Sequence, residues 1–197
     1  MKKVGIMGGT FDPIHLGHLV VANEVLNIHN LDQIIFVPVG NPPHKTGMGA
    51  NSAERYIMAN LATVSNDRFT VSDFEIKKDS KCYSVDTLRE FSKLYTETEF
   101  YFITGTDAVI DIPNWHEPEE LMKLCKFIAV SRPGTQNSEQ KIREVAEKLK
   151  GHIEILKIPM LQISSTDIRE RIQNGMSARY MLPESVEQYI YKNRLYR

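Results

Sequence analysis

An α/β fold built as a doubly wound parallel sheet, with helices on both faces, is what this sequence predicts, and three observations predict it. Short apolar, β-branched runs alternate with helical patterns of 10–15 residues along the whole chain. The most loop-like and chemically varied segments fall directly after strands. The length of 197 residues suits one domain able to bury a full core without disulfides.

The elements follow in order. "KVGIM" (3–7) is a strand closed by Gly8 and Gly9, and the helical spacing of Leu19, Val20, Ala22, Val25 and Leu26 predicts a helix over 16–29. "QIIFVPV" (33–39) is the second strand. A helix over 52–65 follows, with Asn51 or Ser52 as its cap and Glu54 in its first turn. "RFTVSDFEI" (68–76) alternates as a strand, and a helix is expected over 84–95. Strands at 99–105, 126–132 and 152–158, with a charged helix at 138–150, complete a six-stranded sheet. Helices near 165–174 and 184–194 form a short C-terminal extension, compatible with packing or with a subunit interface in a homo-oligomer. The architecture is Rossmann-like, and in such sheets ligands sit beyond the carboxyl ends of the strands near the switch point. Segments 8–18, 40–49, 105–116 and 159–169 should therefore meet at one site.

Composition narrows the functional classes. With 24 Lys and Arg against 25 Asp and Glu, the net charge of −1 provides no basic field for nucleic acid. Cys82 and Cys125 have no metal-binding or disulfide-framework spacing, which argues for a reducing compartment, the cytoplasm. No apolar stretch approaches the ~20 residues of a membrane helix, and the N-terminal run is broken too early for a secretory signal.

The first chemical motif is "GGTFDPIHLGH" (8–18). Two glycines admit a ligand close to the backbone, and the helix start offers N–H groups and a positive dipole end. His15 and His18, at i and i+3, share one side of that start, with Gly17 leaving room beside them. This suits a phosphate site; a glycine-rich turn with an incidental histidine pair is the plainer alternative. A zinc site lacks its usual ligand spacing, and neither a P-loop nor a G-x-G-x-x-G fingerprint occurs.

"QISSTDIRERI" (162–172) is the second motif. Ser164, Ser165 and Thr166 are good caps, Ile168 and Ile172 set a buried face, and Arg169 stands near the helix start, where a cation opposes the dipole. A bound anion would reconcile the two; a capped helix with a solvated arginine is the alternative. Lys45 lies on a proline-flanked loop, and Asp107 either receives hydroxyl groups of a ribose or merely caps a helix. Trp115, the only tryptophan, is either a stacking face or a rim aromatic. Ser84 caps a helix or donates to an acidic group.

Together "GTFDPIHLGH" and "ISSTDIR" resemble the paired signatures of the nucleotidylyltransferase superfamily, relatives of class I aminoacyl-tRNA synthetases. "NPPHK", "YSVDTL", "GTD", "NWH" and "SRPG" narrow the resemblance to bacterial nicotinate-nucleotide adenylyltransferases, over Val4 to Arg169 at least. The resemblance implies adenylyl transfer from ATP to nicotinate mononucleotide, with Mg²⁺ on the ATP phosphates and no protein metal site. It implies that the triphosphate lies against the backbone of Gly8, Gly9 and Thr10, His15, His18 and the helix start from Ser165 through Thr166 to Arg169, with Phe11, Ile163 and Ser164 also binding ATP. Gly105 and Asp107 would hold the ATP ribose. Lys45, Ser84, Thr87, Trp115 and Arg132 would meet the mononucleotide, and His15, His18, Lys45 and Arg169 would be the catalytic set. Thr106, where the family often has alanine, and Cys82, where serine is frequent, are the departures. Nicotinamide mononucleotide or phosphopantetheine as acceptor, or a regulator without catalysis, are the rival readings; no K-M-S-K-S-like loop supports a synthetase fragment.

Overall fold

Six parallel strands form one sheet in the order β3-β2-β1-β4-β5-β6. The computed structural model describes residues 1–40, 49–78, 80–131, 138–158 and 161–197. Chain order is β1 (Lys2–Gly9), α1 (Leu16–Ile28), β2 (Gln33–Pro38), α2 (Ser52–Thr63), β3 (Phe69–Val71), α3 (Ser84–Leu94) and β4 (Thr98–Gly105). Then come α4 (Thr106–Asp111), one turn of 3₁₀ helix (Ile112–Asn114), α5 (Pro118–Leu124) and β5 (Lys126–Ser131). The chain ends with α6 (Ser138–Leu149), β6 (Ile153–Lys157), α7 (Ser165–Gln173) and α8 (Glu184–Lys192).

Each central strand is apolar on both sides because both faces of the sheet are covered. Ile34, Phe36, Ile128 and Val130 join a core with α1, α2, α7 and α8. Their neighbours Ile35, Val37, Phe127 and Ala129 join a second core with α3, α4, α5 and α6. Winding runs outward from β1 to β3 and then returns to β4, so the direction reverses between β1 and β4. Those two strands pair from Lys2↔Thr98 to Ile6↔Phe102. Beyond that point β1 stays paired with β2 as far as Gly9↔Pro38, and β4 with β5 as far as Gly105↔Val130. The carboxyl ends of β1 and β4 therefore part company at the switch point, where a crevice is expected.

Two regions depart from the sequence-based expectation. The strand expected over 68–76 is only Phe69–Val71; the ladder ends where Ser72 N–H donates to the Phe36 carbonyl. The chain then crosses the end of the sheet, since Phe69 belongs to the first core and Phe74 packs on the second. Residues 106–124 carry α4, the 3₁₀ turn and α5, none of which was foreseen. They are six, three and seven residues long, too short for a helical period to show, and Pro113 and Pro118 read as breakers. Pro118 in fact occupies the first turn of α5, where its missing N–H costs nothing.

Capping at α2 is as expected. Asn51 Oδ1 accepts from Glu54 N–H at 2.9 Å, and Asn51 N–H donates in return to Glu54 Oε2 at 2.8 Å. The C-terminal segment contributes Ala178, Leu182, Val186, Ile190 and Leu195 to the same core as α1 and α2.

Candidate active site

The loop from Gly9 to His15 leaves β1 under close control. Phe11 sits at φ 51°, a left-handed conformation costing about 1 kcal/mol or more for such a residue, and it is held there by burial. Its ring meets the His18 ring edge-on at 5.1 Å and Phe36 at 5.9 Å. The two imidazoles lie stacked, 3.7 Å between centroids. His18 Nδ1 accepts the His15 backbone N–H at 3.2 Å, so in the neutral ring the proton resides on Nε2, which remains as a donor. Gly17 makes this possible: a Cβ there would lie 3.0 Å from His15 Nδ1. The room expected beside the imidazoles is present and His15 fills it.

Burial pushes the His15 pKa down to about 4, and burial together with the neighbouring His15 holds His18 well below the usual histidine range. Both rings are neutral at pH 7 in the free protein. The unfolded chain takes up His15's proton near pH 6.5 while the folded chain resists until about pH 4, so folding stability must fall as pH drops through that window. For His15 alone the loss reaches about 3 kcal/mol at its lower end. Urea denaturation of the wild type at pH 7 and pH 4.5, beside His15→Gln, checks this. A stability difference between the two pH values no larger in the wild type than in the variant contradicts it.

The second motif docks on the first. Ser164 caps α7 by accepting from Asp167 N–H at 3.0 Å, and its carbonyl accepts from Ile168 N–H. Ser165 Oγ donates to the Pro13 carbonyl at 2.9 Å, so that hydroxyl locks two loops together. Thr166 is exposed, and Ile163 packs against the first core. Arg169 donates through Nη1 to the Asp12 carbonyl at 2.8 Å and through Nη2 to Thr166 Oγ1 at 3.3 Å; its Nη1 lies 4.0 Å from the Asp12 carboxylate. Asp12 thus offsets part of the Arg169 charge at the helix start. A third of the Arg169 side chain remains accessible, at 32%. Not every helix-start N–H is open to a ligand either, because Leu16 N–H at the start of α1 donates to the Met181 carbonyl at 3.0 Å.

At the end of β4, Gly105 is the exposed N-cap of α4 and Asp107 lies exposed in its first turn. Trp115 stands half-buried with its ring edge-on to Phe102 of β4 at 6.1 Å. Tyr83 stacks on His116 at 4.4 Å, which brings the start of α3, and with it Ser84, beside the Trp115 segment. Thr87 is a different matter. It is 3% exposed, and its Oγ1 donates to Glu75 Oε1 at 2.7 Å, so its hydroxyl faces inward and holds Glu75 rather than a ligand. Lys45 and Arg132 lie outside the described residues.

Sequence reasoning missed the charges beneath the site. Arg55 of α2 is fully buried; Nη1 donates to the Thr10 carbonyl at 2.7 Å and Nη2 to the Gly40 carbonyl at 3.2 Å. It ties the loop after β1 to Gly40, two residues past the end of β2. A signal was available, because Arg55 lies on the same helical stripe as Met58, Ala59 and Ala62. Asp12 is 3% exposed and accepts from Gly49 N–H and Ala50 N–H, each at 3.1 Å, and from the Tyr196 hydroxyl at 2.7 Å. Nothing local in the sequence marks contacts across 184 positions.

Among the described residues, no group of three or more His, Cys, Asp or Glu gathers to hold a metal. Asp12, the carboxylate nearest Arg169, has its oxygens occupied by N–H and O–H donors.

Comparisons with known proteins agree with this geometry. The cytidylyltransferase-like family model matches residues 6–171, a span that takes in both motifs. A protein of Thermoanaerobacter sp. (strain X514), named probable nicotinate-nucleotide adenylyltransferase, is 47% identical over 99% of this chain and 94% of its own length. One from Leifsonia xyli subsp. xyli with the same name is 45% identical, over 99% of this chain and 94% of its own. In fold, the chain matches the Plasmodium falciparum nicotinic acid mononucleotide adenylyltransferase complexed with NaAD at a TM-score of 0.82 and 24% identity, covering 100% of this chain and 98% of that one. With its motifs, strand order and full-length relatives in agreement, this chain belongs to the cytidylyltransferase-like family and, within it, to the nicotinate-nucleotide adenylyltransferases.

Proposed function

We propose that the chain transfers the adenylyl group of ATP to nicotinate mononucleotide, forming deamido-NAD and releasing pyrophosphate. The observation that carries this reading is the meeting of both motifs at the switch point. β1 and β4 separate at the switch point, the stacked His15 and His18 lie beside it, and α7 with Arg169 is bonded to the same loop.

In the reaction, a phosphate oxygen of the mononucleotide attacks the α-phosphorus of ATP and the bond to the β-phosphate bridging oxygen breaks. The attacking oxygen is already ionised, so no base is needed. The His18 Nε2–H and the Arg169 guanidinium are donors suited to the charge that grows on the phosphates in the transition state. Gly8 and Gly9 leave the backbone open beside them. Asp107, exposed beside Gly105, would accept from the ATP ribose hydroxyls. Ser84, at the start of α3, would meet the nicotinate carboxylate, and the Trp115 ring the pyridine face. Thr87 acts by holding Glu75, and Lys45 and Arg132 keep their assignment from the family resemblance. Mg²⁺ would enter on the ATP phosphates, where it neutralises charge on the transferring group and on pyrophosphate. A cytoplasmic setting fits the burial of both Cys82 and Cys125, and no described helix is long and apolar enough to cross a membrane.

Pyrophosphate release from MgATP, measured with nicotinate mononucleotide, nicotinamide mononucleotide and phosphopantetheine in turn, tests the reading. Preference for the nicotinate form is expected; preference for another acceptor overturns the substrate, and release with none overturns the reaction.

A further inference from the structure

The C-terminal tail reaches the site. After α8 the chain turns sharply, with Arg194 at φ 55° and Tyr196 at φ 62°, two left-handed residues within three positions. Such backbone persists only where surrounding contacts hold it. Leu195 between them is buried in the first core. The Tyr196 ring rests directly on Gly49, where a Cβ would lie 2.5 Å from its Cδ1, so no larger residue fits at 49. Its hydroxyl donates to Asp12 Oδ1 at 2.7 Å. Burial, then the bond to Asp12 and the Asp12 charge, push the phenol pKa up, so the hydroxyl is a donor at every working pH.

We infer that Tyr196 is a positioning residue for Arg169: by donating to the Asp12 carboxylate it keeps that carboxylate from drawing the Arg169 guanidinium out of the phosphate site. Two competing demands meet on Asp12. Gly49 N–H, Ala50 N–H and the Tyr196 hydroxyl supply its oxygens, and Arg169 Nη1 stands 4.0 Å away, near enough to feel the charge but beyond a direct bond. Remove the hydroxyl and Oδ1 loses its shortest donor. Arg169 Nη1 faces the other oxygen, Oδ2, at 4.0 Å; with Oδ1 stripped of its short donor the carboxylate carries more uncompensated charge, and because a charge-assisted bond is stronger than a neutral one, Arg169 is the group best able to compensate it. Movement toward Asp12 takes the guanidinium away from an ATP phosphate. The groups facing this hub are Asp12, Arg169, Arg55 and Glu54, and none of them supplies a hydroxyl in Tyr196's place.

This rests on the reading of Arg169 as a phosphate ligand, so ATP binding is measured directly, by titration calorimetry without acceptor. The full chain is compared as wild type, Tyr196→Phe, Asp12→Asn and the double variant. Tyr196→Phe keeps the ring on Gly49, and should melt near the wild type while binding ATP about tenfold more weakly, with KM for the acceptor unchanged. Asn at position 12 carries no charge to attract Arg169. In the Asp12→Asn background the Tyr196→Phe step should therefore cost less than twofold, a coupling read from the cycle. Equal ATP affinity in wild type and Tyr196→Phe overturns the inference, as does an equal loss in both backgrounds. An equal rise in KM for ATP and acceptor, matched by a fall in melting temperature, marks a structural role and also overturns it. A wild type that binds no ATP overturns the functional reading instead.

Discussion

Replacing His18 with asparagine is expected to lower turnover by about 10²–10³ with the fold intact, by comparison with loss of a single transition-state donor elsewhere. The choice of asparagine matters. Its amide oxygen lies near the place of Nδ1 and can accept the His15 N–H, which His18 accepts at 3.2 Å. The variant thus keeps the local structural bond while losing the Nε2–H that reaches beyond it. Since the ring is neutral at pH 7, its contribution is a hydrogen bond to growing charge and not a fixed positive charge. Such a contribution belongs to the transition state, so kcat should fall with KM for either substrate changed only a few-fold. Steady-state kinetics decide the matter. Turnover within threefold of wild type would place the donor elsewhere in the crevice.

Arg55→Met should be the most destabilising single change in the site region, by about 3–5 kcal/mol. The side chain is fully buried, and its two donors satisfy the Thr10 and Gly40 carbonyls. Each hydrogen bond from a charged group is worth about 1.5–3 kcal/mol, and the abandoned carbonyls stay out of water. Buried Asp12 and Glu75 also lose a compensating positive field. Burial raises the Glu75 pKa, with the Thr87 hydroxyl, Lys78, Gly40 and Arg55 opposing that rise, so loss of Arg55 should favour a neutral Glu75 further. Arg55→Lys retains the charge but not the fork, and should recover less than half of the loss. Urea unfolding with an unchanged m-value checks the figure. A loss under 1 kcal/mol for Arg55→Met would show that the two loops hold their places without it.

The parts of this fold visible in the sequence are those governed by local periodicity. β1, β2, β4 and β5 announce themselves as apolar runs because both faces are buried, and α2 announces itself through Asn51 and Glu54. The histidine motif and the Ser164–Arg169 helix start were visible because each is contiguous. What joins them was not, since Asp12 meets Arg169 across 157 positions and Tyr196 across 184. Of the C-terminal helices, Leu182, Val186 and Ile190 are buried in the first core and Tyr196 packs against it. Thr87 illustrates the opposite error. A hydroxyl one turn into a helix looks available in sequence, and only the inward turn of Glu75 shows it to be engaged.

The central claim is that this site transfers the adenylyl group in one displacement, through placed donors rather than through an enzyme nucleophile. His15 and His18 are the groups on which an alternative would run, by accepting the adenylyl group and passing it on. ATP made chiral at the α-phosphorus by a single sulfur, reacted with nicotinate mononucleotide, separates the two directly. Inversion at phosphorus in the dinucleotide product is the predicted result. Retention would require two displacements and an adenylylated side chain, and would contradict the account.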